Sequence, residues 1–247
     1  MTRMDFNLER LAKRHPNLFG GLDETATDEE VAAEEARQRA LDAAARERVL
    51  VDRAERFLQD RGQRYRNCRL STFEATEPGQ AEAVARLRSY AENMPAECEQ
   101  GNGVILYGPS GTGKDHLLVA LGFAAERRYG LRVAWRNGME LFAGFRQAIH
   151  EDADEWSIVR PLADADILVL SDPLPPSGDL TDYQKSMLYR VLETRYTRCK
   201  PTWASVNAKC RNEVDSRMGA PCADRLRHNA VTIFCKWQSY RKAQPNT

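Results

Sequence analysis

A lysine at the end of a glycine-rich run is the first feature that could do chemistry. Gly108-Pro109-Ser110-Gly111-Thr112-Gly113-Lys114 fits G-x-x-x-x-G-K. Glycines at that spacing let successive backbone N–H groups point at one centre, and the lysine adds a point charge for phosphate. Asp115 and His116 open an apolar helical pattern whose positive end strengthens the anion site. Residues 108–116 are therefore the candidate nucleotide-binding set, with ATP as ligand and Mg2+ as its ion. The residue after the lysine ordinarily carries a hydroxyl for the metal, and here it is Asp115. Farther on, Ile167-Leu168-Val169-Leu170 ends in Ser171-Asp172, an apolar strand delivering polar groups where two acids usually serve metal and water. Asp115, Ser171 and Asp172 are the candidate metal set. Either the carboxylate and hydroxyl have exchanged places, or two losses occurred independently in a decaying site. Asn207 closes another apolar run and could hydrogen-bond a γ-phosphate or the lytic water. Arg225 could reach a neighbouring subunit's nucleotide as an arginine finger. Asp172, Asn207 and Arg225 are thus the catalytic candidates, against blander readings as a turn residue for Asn207 and a surface ion pair for Arg225.

These groups need a scaffold of alternating strands and helices. Strands are expected at Val104–Tyr107, Arg132–Trp135, Ile167–Leu170, Thr202–Val206 and Ala230–Cys235. Helices are expected between them, one across Met139–Ile149 and one opened by a capping box, Thr181 to Gln184. The alternation predicts an α/β fold with a five-stranded parallel sheet and helices on both faces. Ahead of it, Pro78-Gly79 starts a helix with Ala81, Val84, Ala85, Leu87, Ala91 and Met94 facing a core, ended by Pro95. A short amphipathic helix within residues 1–26 comes first. A long Ala/Arg/Glu-rich helix then runs from a capping box at Thr27 to Arg61 and stops at Gly62. Its apolar stripe is thin: Leu41, Ala45, Val49-Leu50, Ala54 and Phe57-Leu58. It reads as a solvated helix or as a partner-docking one. The expected division is 1–61 for the helical docking region, 62–100 for a linker and helix, and 101–247 for the ATP-binding domain.

The formal charge is zero, with 36 Lys+Arg against 36 Asp+Glu, so any nucleic-acid contact needs a local patch. The six cysteines form no C-x-x-C pair and no Cys/His cluster, which argues for free thiols in a reducing cytoplasm and against zinc. No signal segment or membrane span is expected.

Together the loop, the strand at Ile167–Leu170, Pro201-Thr202 leading to Asn207, Ala223-Asp224-Arg225-Leu226 and the ending Lys236-Trp237-Gln238-Ser239-Tyr240-Arg241 make a wider pattern. Arg64-Tyr65-Arg66-Asn67 and Phe73 extend it. Over roughly residues 62 to 242 the chain resembles the bacterial helicase-loader family of AAA+ ATPases, the DnaC and IstB group. The resemblance implies ATP binding, an ATP-dependent homo-oligomer in an open spiral, single-stranded DNA in its channel, and delivery of a replicative hexameric helicase. It implies that Lys114 binds phosphate, Asp172 is the catalytic acid, Asn207 is sensor 1, and Arg225 is the finger acting in trans. The chain stops just after its fifth strand, so a lidless core is expected, as in such loaders. Asp115 for Thr, Ser171 for Asp and Pro221 for a second finger arginine depart from the pattern. Rival readings are an IstB-type helper of a transposase, an adaptor that binds nucleotide without hydrolysis, and a small-molecule kinase.

Overall fold

The computed structural model describes residues 28–241. The expected helix within residues 1–26 and the capping box led by Thr27 lie outside the described residues. The chain divides into two compact units, residues 1–49 and 50–247. Helix α1 (Asp28–Arg61) ends before Gly62, as expected, with Gly62 at φ 86°. In the first unit its apolar residues Val31, Leu41 and Val49 are exposed. In the second unit its residues Ala54, Phe57 and Leu58 are buried. The expected boundary after Arg61 therefore differs from the packing, which divides after Val49. The reason is local: Arg53 pairs with Glu126 at 2.6 Å and donates to the Gly130 carbonyl at 3.0 Å, while the Phe57 ring fills the space over Gly122.

Helix α2 (Gln80–Glu92) follows Gly79, and helix α3 (Met94–Glu99) follows at once. Pro95 does more than end α2. It sits in the first turn of α3, where a missing N–H leaves no bond unmade. Val84, Leu87, Ala91 and Met94 are buried as expected, but Ala83 and Tyr90 take the inward places assigned to Ala81 and Ala85.

The strands are β1 (Val104–Tyr107), β2 (Val133–Asn137), β3 (Ile167–Ser171), β4 (Thr202–Val206) and β5 (Val231–Phe234). They form one parallel sheet in the order β2-β3-β4-β1-β5. Strand β2 runs to Asn137, past the expected end at Trp135, because the Asn137 side chain caps the next helix by accepting from Met139 N. Side chains alternate across the sheet: Ile105 and Tyr107 enter one core and Val104 and Leu106 the other. Helices α5 (Gly138–His150), α6 (Trp156–Asp164), α7 (Asp182–Thr197) and α9 (Ala220–Arg227) cover the first core, together with α8 (Arg211–Met218). Helices α2 and α4 (Lys114–Tyr129) cover the second. Helix α6, with Pro161 inside it, has no counterpart in the sequence reading. The capping box at Thr181 and Gln184 forms with both its bonds. Buried Arg195 ties α7 to the ends of α6 and the loop before β4 by donating to the carbonyls of Leu162, Ala165, Asp166 and Pro201. The Pro201 carbonyl also accepts from Leu168 N and the Ala165 carbonyl from the Lys200 ammonium, so Arg195 adds to the bonding at these carbonyls while its own buried donors are satisfied.

Candidate nucleotide site

The loop leaves β1 at Gly108, whose φ is 147° and whose Cβ, if present, would collide with the Cys235 carbonyl. Gly111 and Gly113 lie at φ 87° and 84°, the left-handed region that glycine adopts without strain. Thr112 is fully buried and its hydroxyl donates to the Pro109 carbonyl at 3.0 Å, bracing the curl. Lys114 is 5% exposed. Its ammonium donates to the carbonyls of Gly108 and Pro109, both at 2.9 Å, and to Asn207 Oδ1 at 2.7 Å. Burial lowers its pKa, and the Asp172 carboxylate pulls the other way. A buried cation resting on neutral oxygens is favourably transferred to an anion.

Three polar groups meet the loop from strand ends. The Ser171 hydroxyl donates to Asp115 Oδ2 at 3.1 Å, and the Ser205 hydroxyl donates to Asp115 Oδ1 at 2.6 Å. Asp172 leaves β3 at φ 44°, a left-handed conformation that costs a non-glycine residue on the order of 1 kcal/mol or more. Its N–H is held by the Ser205 carbonyl at 3.0 Å. Burial, and then the Asp115 carboxylate, raise the Asp172 pKa; Lys114 and a hydrogen bond from Asn207 oppose the rise. Its Oδ1 is buried and has no hydrogen-bond partner among the described residues. Lys114, Asp115, Ser171, Asp172 and Asn207, named separately in the sequence, therefore stand together.

Above them opens a cavity of about 360 Å3, within the range of small-ligand sites. Its floor includes Gly111, Gly113, Lys114, Asp115 and Asp172. One wall comes from the segment before α2, through Tyr65, Cys68 and Phe73, and another from Tyr240 and Arg241. His116 belongs to the first wall: its Nε2 lies 3.1 Å from the Arg69 carbonyl and its ring meets Phe73 edge-on, and burial lowers its pKa.

Arg225 is elsewhere. It lines a second cavity with Gly103, Thr202 and Asn229, at the amino ends of β1, β4 and β5. The strands are parallel, so this is the opposite edge of the sheet, at least the roughly 13 Å length of a four-residue strand away. Its guanidinium is paired with Glu193 at 2.5 Å and Asp224 at 2.9 Å and lies over the Tyr196 ring. The Glu193 hydrogen bond raises its pKa.

The profile of the family described as IstB-like ATP binding protein matches residues 72–247, which include the loop, Ser171, Asp172, Asn207 and Arg225. The chain belongs to this family. An insertion sequence IS21 ATP-binding protein of Pseudomonas aeruginosa is 29% identical over 154 residues, covering 58% of this chain and 54% of the relative. The chain spans about half the length of the curated relatives it matches. Among solved structures it is similar to the DnaC helicase loader, with a TM-score of 0.64 and 23% identity over 70% of this chain and 99% of that one. It is also similar to AMPPCP-bound DnaA from Aquifex aeolicus, with a TM-score of 0.56 and 22% identity over 67% of this chain and 50% of that one. These likenesses establish the AAA+ P-loop fold, and the family is one described as ATP-binding.

In this IstB-like site the sequence reading missed Ser205, and it placed Tyr65, Phe73, Tyr240 and Arg241 in the family pattern without assigning them to the cavity; of the walls, only His116 stood in the candidate set. A lone serine inside Trp203-Ala204-Ser205-Val206 looks like filler. Its signal was positional: it is two residues before Asn207, hence on the same strand face, and pairs with Ser171 across β3 and β4.

Proposed function

We propose that this chain binds ATP with Mg2+ in the cavity over Gly108–Lys114, assembles with further copies of itself when loaded, and in that state brings a DNA-processing enzyme to DNA. The supporting observation is the half-buried Asp172 carboxylate beside Lys114 and Asp115, whose buried Oδ1 lacks a partner among the described residues. The donors fit the ion: carboxylates and a hydroxyl are the hard oxygen ligands Mg2+ takes alongside phosphate and water. Asp115, Asp172 and Ser171 would hold it, and when bound it offsets phosphate charge. Lys114 exchanges the loop carbonyls for phosphate oxygens. Asp172, its pKa already raised, accepts a proton from the attacking water, while Asn207 orients that water through its amide. Arg225 of a second copy supplies charge to the leaving phosphate.

Two partners suit this reading. A transposase is favoured by the family and by relatives named for insertion sequences. Delivery of a replicative helicase to single-stranded DNA is favoured by the likeness to the DnaC loader. The exposed Val31, Leu41 and Val49 of the first unit are the docking stripe in either case. No described helix is long and apolar enough to cross a membrane. The test is capture of purified helicase and purified IS21-type transposase by the immobilised full chain, with and without ATP. One partner is expected to bind only with ATP, and to be lost when residues 1–49 are removed while ATP binding remains. Capture of neither, or capture indifferent to ATP, contradicts the proposal.

A further inference from the structure

Beyond the loop and the acids, the cavity contains a charged group that the roles assigned above leave unused. The chain leaves β5 and crosses back over the loop as a strap from Lys236 to Arg241. The strap is fastened to the loop's own backbone. The Trp237 indole donates to the Thr112 carbonyl at 2.8 Å in a buried hydrogen bond, and the Tyr240 N–H donates to the Gly111 carbonyl at 2.9 Å. On its other side the Tyr240 hydroxyl donates to the Glu74 carbonyl, and the Phe73 ring lies edge-on to both Trp237, at 6.3 Å, and Tyr240, at 5.6 Å. Even the glycines record the closeness: a Cβ on Gly111 would strike the Ser239 side chain, and one on Gly113 would lie 2.7 Å from Phe73.

A segment fastened at two carbonyls of a phosphate loop places its next side chain within narrow limits. That side chain is Arg241. Its Cδ lies 3.4 Å from where a Cβ on Gly111 would stand, and its side chain lines the cavity. Among the described residues the guanidinium has neither an ion-pair nor a hydrogen-bond partner, whereas Arg225 at the other edge has two carboxylates. Lys114 is the other cation at the loop, and its donors are divided among three oxygens. A triphosphate placed there would face the Asp115 and Asp172 carboxylates with Lys114 as the one cation of the loop itself; Arg64 lines the cavity from the wall before α2, whereas Arg241 stands on the segment bonded to the loop.

We propose that Arg241 is a second phosphate-binding cation of the nucleotide cavity, supplied in cis by the strap that also holds the loop; this rests on the nucleotide reading above. A guanidinium suits the task, because its planar fork of donors matches phosphate oxygens. Burial comes first and neighbouring carboxylates next in setting the lowered pKa of Lys114 and the raised pKa of Asp172; the Arg241 charge reaches both groups as the smallest influence. Because the same strap hydrogen-bonds Gly111 and Thr112, phosphate held by Arg241 also tightens the hold on the loop.

The test is titration of the full chain with a fluorescent ATP analogue and Mg2+ at several salt concentrations, comparing wild type with Arg241→Gln and Lys114→Ala. Gln keeps most of the length and some hydrogen bonding but removes the charge. Arg241→Gln is expected to bind about tenfold more weakly at low salt, and with a shallower salt dependence, since one screened charge contact is gone. Its melting temperature without nucleotide should match wild type. Wild-type affinity in Arg241→Gln, or a loss of the same size at every salt concentration, overturns the assignment and leaves the loop reading intact. A wild type that binds no analogue, indistinguishable from Lys114→Ala, overturns both.

Discussion

At the carboxyl ends of β1, β3 and β4 the charged groups lack ion-pair partners among the described residues. Lys114 rests on carbonyls and an amide, one Asp172 oxygen has no hydrogen-bond partner among the described residues, and Arg241 faces the cavity. At the amino ends of the same strands the charges are matched. Arg225 has Glu193 and Asp224, Lys200 has Asp166 at 3.7 Å, and Arg198 has Asp164 at 2.9 Å. Exposed pairs of this kind contribute little to stability, but they do complete the local charge. On the proposed reading the first edge is completed by a ligand. The second is complete already, so Arg225 acts on phosphate only if another copy's nucleotide displaces Glu193. That contrast predicts which substitutions are felt by an isolated chain and which only by an assembly.

The largest expected effect is at the first edge. Lys114→Ala should lower ATP affinity by about 100-fold or more, since a buried charge-assisted contact is removed, with the circular-dichroism spectrum unchanged. Arg225→Ala in the isolated chain should bind ATP as wild type does. Equal losses in the two variants, or none in either, would erase the distinction between the edges.

A smaller effect separates the acids. Ser171→Asp alone sets a second carboxylate against Asp115, whose Oδ2 now accepts from Ser171 at 3.1 Å. The repulsion is on the order of 4 kcal/mol at ~4 Å and an effective dielectric near ~20, before any cation offsets it. Asp115→Thr alone removes a carboxylate and leaves Ser171 and Ser205 without their acceptor. Each should weaken Mg2+-dependent ATP binding, and the double variant should recover it, with a coupling energy of about 1 kcal/mol or more in a double-mutant cycle. Simple additivity would mean that the carboxylate and hydroxyl have not exchanged roles.

The sheet and the loop were legible in the sequence for a physical reason. Buried parallel strands read as apolar runs, so Val104–Tyr107 is legible to the residue, and so is Thr202–Val206 although Ser205 interrupts its run. The G-x-x-x-x-G-K spacing is itself the geometry of the anion cradle. What was not legible depends on contacts between distant segments. Phe73, Tyr65, Tyr240 and Arg241 share a cavity only because the strap returns over Gly111, and no local period records that. Where helix α1 packs is hidden for the same reason. Its stripe shows that Phe57 and Leu58 are apolar, but only the bare Cα of Gly122 and the Arg53–Glu126 pair show where they bury.

The claim that the two edges are halves of one site is tested most directly by mixing two inactive variants. Lys114→Ala keeps an intact Arg225 edge, and Arg225→Ala keeps an intact loop. Each alone should show little DNA-stimulated ATP turnover. Their equimolar mixture should recover a measurable fraction of wild-type turnover, because loaded loops of one variant meet the arginines of the other. A mixture that co-assembles yet stays as inactive as its components would contradict the account and leave Arg225 as a surface ion pair.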